Sequence, residues 1–230
     1  MTDSSTLPAP SPELRSLAAA VHEKLLQVYG LPVWRVPLPA VDELVCTILS
    51  QNTNDKNRDI AFDALRARFP TWEAVRDAPQ DQVVDAVRIA GLANQKGPRI
   101  QSVLRQITAE RGEISLEFLK NYPAQEALDW LLRFKGVGPK TASIVLVFSL
   151  GLPAFPVDTH IHRVSGRLGL RPDSMSADQA HQHLASLFNP EDFGPDHMNL
   201  IRLGREICHA RKPQCDQCPL RDLCPYPDKP

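Results

Sequence analysis

The chain has 230 residues, of which 43% are hydrophobic and 23% charged, with a formal net charge of −1. This is ordinary globular composition, with length for one generous domain or two small ones. No apolar run approaches the roughly 20 residues of a membrane span, and the N-terminal MTDSSTLPAPSP has neither the basic nor the apolar region of an export or import signal. The sequence therefore reads as cytoplasmic, with no membrane partner and with a disordered tail over 1–11.

Ser11-Pro12-Glu13 opens the first helix, with proline at the first helical position and an acid in the first turn. Leu14, Leu17, Val21 and Leu25 recur at helical spacing, and Gly30 ends the segment. A proline-rich connector, LPVWRVPLPA, follows. Further helices are predicted over 42–50, 55–69, 72–78, 80–90, 97–111, 115–121, 123–133, 139–150, 160–170, 176–188 and 195–207. Ser176 and Gln179 form a capping box. The most strand-like run, Ile144 to Phe148, lies inside TASIVLVFSLG, which has helical length and stops at Gly151. A helix apolar on every side is a buried one. With no hairpin signal and no alternation of strands and helices, the predicted fold is all-α.

Charge is uneven along the chain. Residues 1–93 carry a net −3, residues 94–171 a net +5 and residues 172–230 a net −3. The overall charge argues mildly against a nucleic-acid partner, whereas the basic middle third argues for one. A second basic group lies at Arg202, Arg205, Arg211 and Lys212.

Five cysteines, an odd number in an intracellular chain, are poor disulfide candidates. Cys46, on the apolar face of DELVCTIL, reads as a small core residue. The other four, Cys208, Cys215, Cys218 and Cys224, follow the pattern C-x6-C-x2-C-x5-C. Four thiolates on one loop can close around a single metal centre. Zinc sites more often use two C-x2-4-C pairs. One C-x2-C with longer flanks, and with Pro219 and Pro225 after two of the cysteines, fits an iron–sulfur loop better. The spacing alone leaves zinc and a 4Fe–4S cluster both open.

Residues 123–150 read as helix, a tight KGVG turn, then helix. Gly136 and Gly138 let the backbone turn sharply and approach a partner closely. Lys140 falls in the first turn of the second helix, and a lysine that sheds its proton is an amine nucleophile able to form a Schiff base. In PVDTHIHR, Asp158 reads as a helix N-cap, a carboxylate that could also stabilise positive charge or move a proton. His160 and His162, two apart on a helix, splay and are not assigned to metal.

In this order and separation, F-K-G-V-G-P-K-T-A, P-V-D-T-H and C-x6-C-x2-C-x5-C resemble the endonuclease III family of DNA glycosylases. The resemblance covers the chain beyond its tail. It implies a six-helix domain over 42–152 containing the helix-hairpin-helix (123–150). It also implies a second helical domain, from residues 12–41 and 153–230, that holds a 4Fe–4S cluster, with DNA in a cleft between the two. Lys140 matches the nucleophile that attacks the sugar C1′, and Asp158 the carboxylate that assists base loss. Gly136 and Gly138 match the phosphate-binding hairpin, with Thr141 and His160 as further DNA contacts. ILSQNTND (48–55) resembles the segment that fills the space left by a flipped base. There Asn52 stands where glutamine is usual, and Asp55 is a further contact. GLANQKG (91–97) resembles the wedge loop, with Leu92 as intercalator and Asn94 and Lys96 as DNA contacts. Ala93 stands where an aromatic residue is often found.

The implied function is removal of oxidised pyrimidines such as thymine glycol from duplex DNA, with abasic-site lyase activity by Schiff base and β-elimination. The implied partner is double-stranded DNA carrying a damaged base or an abasic site, bound by a monomer at the nucleoid. Three alternatives stand beside it: a mismatch or alkyl-base glycosylase on the same scaffold, a non-catalytic binder of distorted DNA, and a structural zinc protein.

Overall fold

The computed structural model describes residues 9–33 and 36–226. Most of the expected tail, and Trp34 and Arg35 of the connector, lie outside the described residues. Within them the chain is helical and has no strand. The α-helices are α1 (Pro12–Tyr29), α2 (Ala40–Ser50), α3 (Asp55–Arg68), α4 (Trp72–Asp77), α5 (Gln80–Ala86), α6 (Ala93–Arg111), α7 (Ala124–Leu132), α8 (Pro139–Val145), α9 (Thr159–Arg167), α10 (Ala177–Ala185) and α11 (Phe193–Glu206). The chain divides into two compact units. One comprises the chain up to Arg35 and from Pro153 onward, and the other spans Val36–Leu152.

In the Val36–Leu152 unit α2 is the central helix. Every residue from Ala40 to Leu49 except Asp42 is buried, as apolar residues on most sides of the helix demand. It packs against α3 and α8. The indole of Trp72 donates to Asp42 Oδ1 at 2.7 Å. From α6, the buried Gln101 carboxamide donates to the carbonyls of Val75 and Ala78 at 2.9 and 2.8 Å, satisfying the end of α4. Phe118, Trp130 and Phe134 stack edge to face, with ring centroids 4.8–5.1 Å apart.

Four expectations in this unit change, the first being the helix expected over 80–90, which is α-helical to Ala86 and followed by a 3-10 turn over Arg88–Ala90. The helix expected over 97–111 begins at Ala93, because Gly97 and Pro98 lie inside it rather than before it. Gly97 permits this packing, since a Cβ there would meet Val84 on α5 at 2.9 Å. The segment expected as helix over 115–121 is a 3-10 turn over Glu117–Asn121. The helix expected over 139–150 is α-helical to Val145 and then widens into a π-helical turn over Leu146–Leu150.

In the other unit α11 lies between α1 and α9. Ser11 caps α1 through Leu14 N–H at 3.3 Å, Gly30 ends it at φ 72°, and the Ser176–Gln179 capping box is present at α10. Gly204 brings α11 close to α9, where a Cβ would meet the His160 side chain at 2.9 Å. His22 on α1 and Asp196 on α11 are joined by a 2.7 Å hydrogen bond. The rings of Phe155, Phe188 and Phe193 cluster within 5.1–5.3 Å.

Candidate active site and cysteine loop

The hairpin between α7 and α8 is anchored by two buried apolar side chains, Phe134 and Val137, with Val137 N–H donating to Phe134 O at 3.0 Å. Between them Gly136 takes φ 89°, a conformation that disfavours any side chain. A Cβ there would also collide with the Arg99 guanidinium. Gly138 begins α8 with open space where its Cβ would be. Lys140, second residue of α8, is partly exposed, and its Nζ has no hydrogen-bond or ion-pair partner among the described residues. Thr141, expected to touch DNA, is 3% exposed. Its side chain belongs to the interior, so the part of it that a DNA contact could use is the backbone N–H in the first turn of α8.

The turn after α2 carries Asn52, exposed and in the left-handed region at φ 51°. Asn54 caps α3 through Asn57 N–H at 2.8 Å, and the exposed Asp55 pairs with Arg58 at 2.8 Å. The wedge loop has Gly91 at φ 67° and then Leu92 at φ 51°, ψ 30°. Leu92 is 48% exposed, and Asn94 is exposed on the first turn of α6.

Lys96 departs from expectation. Predicted at a DNA surface, it is 1% exposed, because its ammonium finds three acceptors inside the unit. Nζ donates to Leu49 O at 2.7 Å, to Thr53 Oγ1 at 2.7 Å and to Ala90 O at 2.8 Å. Burial, with the Arg99 guanidinium adding to it, lowers its pKa to about 8.

Sequence reasoning missed two further polar residues. Arg99 donates to Gln51 Oε1 at 2.7 Å, and Gln51 Nε2 donates to Gly136 O at 3.2 Å. Gln51 lies within ILSQNTND, next to the residue singled out there, and no local pattern marks Arg99.

Asp158 and His160 lie in the other unit. Asp158 caps α9, its Oδ1 accepting from Ile161 N–H at 2.8 Å. His160 Nδ1 accepts from Arg163 at 3.1 Å. The same guanidinium donates to Gly204 O at 2.8 Å and to Cys208 O at 2.9 Å, tying α9 and α11 to the cysteine loop.

Cys208, Cys215, Cys218 and Cys224 line one small cavity together with Arg167, Ile207 and Tyr226. All four are half-buried, unbridged thiols. Burial pushes the Cys218 and Cys224 thiols up, and the charges of the other cysteines add to that. Thiols that resist ionising together suit a strongly positive centre that holds them as thiolates. Among the described residues no three His, Cys, Asp or Glu gather closely enough for one metal ion. All four cysteines line the one cavity, and four thiolates on one loop are a donor set that fits an iron–sulfur cluster. Arg167 donates to Cys208 Sγ at 3.2 Å and to the carbonyls of His209 and Ala210 at 2.7 and 3.0 Å. Its guanidinium lies 4.2 Å from the Tyr226 ring centroid.

Comparison with known proteins gives this arrangement its class. Residues 45–190 match the HhH-GPD superfamily of base excision DNA repair proteins, and residues 208–224 match the iron-sulfur binding domain of endonuclease III. Endonuclease III of Sulfolobus acidocaldarius is 36% identical over 185 residues, which cover 80% of each chain. That of Thermotoga maritima is 31% identical over 183 residues, covering 80% of this chain and 81% of the relative. A 36% identical candidate DNA glycosylase of Arabidopsis thaliana is longer, and the chain spans 64% of it. Among solved structures, a trapped covalent endonuclease III–DNA intermediate, an estranged-adenine complex, aligns over 93% of this chain and 97% of its own at a TM-score of 0.80 and 26% identity. A thermostable thymine-DNA glycosylase has the same fold, with a TM-score of 0.78 at 20% identity. The chain belongs to the endonuclease III family of base excision repair DNA glycosylases, and it has the 4Fe–4S cluster of that family.

Proposed function

We propose that this protein removes oxidised or ring-saturated pyrimidines, such as thymine glycol, from duplex DNA and then cleaves the abasic strand as a lyase. The observation that carries this reading is Lys140. It stands on the first turn of α8, directly after the glycine hairpin, with an unpartnered Nζ. Glycosylases of this scaffold that only remove the base commonly lack a lysine there.

A base inside a duplex has to leave the stack before its glycosidic bond can be reached, which costs a few kcal/mol and less for a damaged base. Leu92 and Asn52 would occupy the space left behind, as wedge residues do in minor-groove proteins. Gly136 and Gly138 would bring the hairpin backbone against a phosphate. Lys140 Nζ attacks C1′, and the bond from C1′ to the base breaks as the new bond to nitrogen forms. Asp158 supports the departing base and the developing positive charge. Its Oδ1 is held by the α9 cap, while Oδ2 carries no bond among the described residues. The resulting Schiff base acidifies C2′. Loss of that proton expels the 3′ phosphate and nicks the strand. The 4Fe–4S cluster takes no part in these steps and instead would hold residues 208–224 in shape for DNA. The protein acts as a monomer on nucleoid DNA.

Borohydride trapping on a thymine glycol duplex, with an abasic duplex alongside, tests this. A covalent complex with the parent protein on both duplexes is expected, and Lys140→Gln should abolish it while leaving DNA binding near parental. Equal strand cleavage by Lys140→Gln would remove Lys140 from the mechanism. Trapping on the abasic duplex alone would keep the lyase and discard thymine glycol as substrate.

A further inference from the structure

We propose that Lys96 is a positioning residue whose buried ammonium clamps the Asn52 turn to the Leu92 loop, so that gap filler and wedge enter the duplex as one preset pair. The inference rests on the reading of Asn52 and Leu92 given above. It assigns Lys96 a role other than touching DNA.

The geometry is specific. The three acceptors of Lys96 Nζ bracket both loops: Leu49 O lies before Asn52, Thr53 Oγ1 directly after it, and Ala90 O two residues before Leu92. Thr53 Oγ1 also donates to Ala90 O, so the two loops are joined directly as well as through the ammonium. The backbone of Lys96 serves the same end, its N–H donating to Leu92 O at 2.9 Å. One turn along α6, Arg99 holds Gln51, which in turn holds Gly136 O. Asn52 is therefore fixed on both sides from a single helix.

Among the described residues three non-glycine positions have positive φ, and two of them are Asn52 and Leu92, each at 51°. Residues held in such conformations persist where their surroundings over-determine them, and they cluster at ligand-gripping sites. A lone buried ammonium is a poor choice for stability alone, because apolar side chains of similar volume commonly do as well or better. Three charge-assisted hydrogen bonds from one rigid point, by contrast, fix loop geometry closely.

Two variants probe the clamp. Lys96→Met keeps the stem and deletes the three donors. Thr53→Val removes the hydroxyl shared by both loops and disturbs less, so the question stays answerable if Lys96→Met folds poorly. Affinity would be measured for a duplex with a tetrahydrofuran abasic analogue and for the same duplex undamaged. 2-Aminopurine opposite the analogue would report entry of the wedge and gap filler. Both variants are expected to lose roughly tenfold in preference for the abasic duplex, with undamaged-duplex affinity held within about twofold and the fluorescence rise on binding diminished. Parental preference and fluorescence in both variants would overturn the proposal. So would an equal loss on both duplexes, which a purely structural lysine would give. A parent protein that binds the two duplexes alike would overturn the functional reading and the clamp with it.

Discussion

Leu92 sits in a conformation that leucine avoids. Left-handed backbone costs a non-glycine residue about 1–2 kcal/mol, and Leu92 recovers little of this by burial, being 48% exposed. Glycine at that position should relieve the strain and remove the wedge together. Leu92→Gly is expected to raise unfolding stability by about 1 kcal/mol while weakening binding to an abasic-analogue duplex. Urea unfolding and a binding titration check the two halves, and a variant that is both less stable and equally good at binding would contradict the role of Leu92. The same residues mark how far a sequence can be read. Gly91-Leu92 signals a loop, but φ 51° at Leu92 depends on where Ala90 and Lys96 are held. Lys96 looks like a surface cation in GLANQKG. Its burial follows from a carbonyl at Leu49, 47 residues away in the chain, and no local pattern records that distance. The cap at Asp158 was legible because its partner, Ile161, lies three residues on.

Among the elements, α11 and α1 share the least comfortable contact. Asp196 is 3% exposed and its Oδ2 has no hydrogen-bond partner, while Oδ1 accepts from His22 at 2.7 Å. Burial pushes its carboxyl from 3.8 up to about 6, against the pull of His22. Between those values the folded chain keeps a proton that the unfolded chain has released. Stability attributable to Asp196 is therefore greatest below this window and falls as pH rises through it. Asp196→Asn keeps an oxygen acceptor for His22 and removes the titration. Its urea midpoint should lose the downward slope between about pH 4 and pH 6, and an unchanged slope would assign the effect to other groups. Helix starts and stops set by local caps, at Ser11, Gly30 and Ser176, could be read directly. The start of α6 could not. Gly97-Pro98 has the form of a breaker, and only the close approach of Val84 on α5 explains a glycine inside the helix.

At the scale of the whole molecule, all-α architecture followed from helical periodicity with no strand signal, whereas the cysteine spacing alone left zinc and a 4Fe–4S cluster both open, and the cluster followed from the three motifs taken together. The ligand set has a direct test, since metal-binding energy on a loop with so little other structure is folding energy. Cys215→Ala should emerge colourless and iron-poor, with faster amide exchange in α9, α11 and residues 208–226 than in α2 and α8. A brown variant with parental iron content would remove Cys215 from the ligand set. The division of the chain also has a bearing on how the protein is made. Val36–Leu152 is contiguous, whereas the other unit needs both termini. At roughly 5–20 residues per second of synthesis, the hairpin and clamp can close on the ribosome some seconds before Cys208 leaves the exit tunnel. Until then α1 has no α11 to pack against, and the nascent chain waits with the apolar face of an amphipathic helix uncovered. Delivery of iron and sulfide thus follows the stage at which the hairpin unit can fold, and a chain short of either would have a finished hairpin and an unfinished second unit.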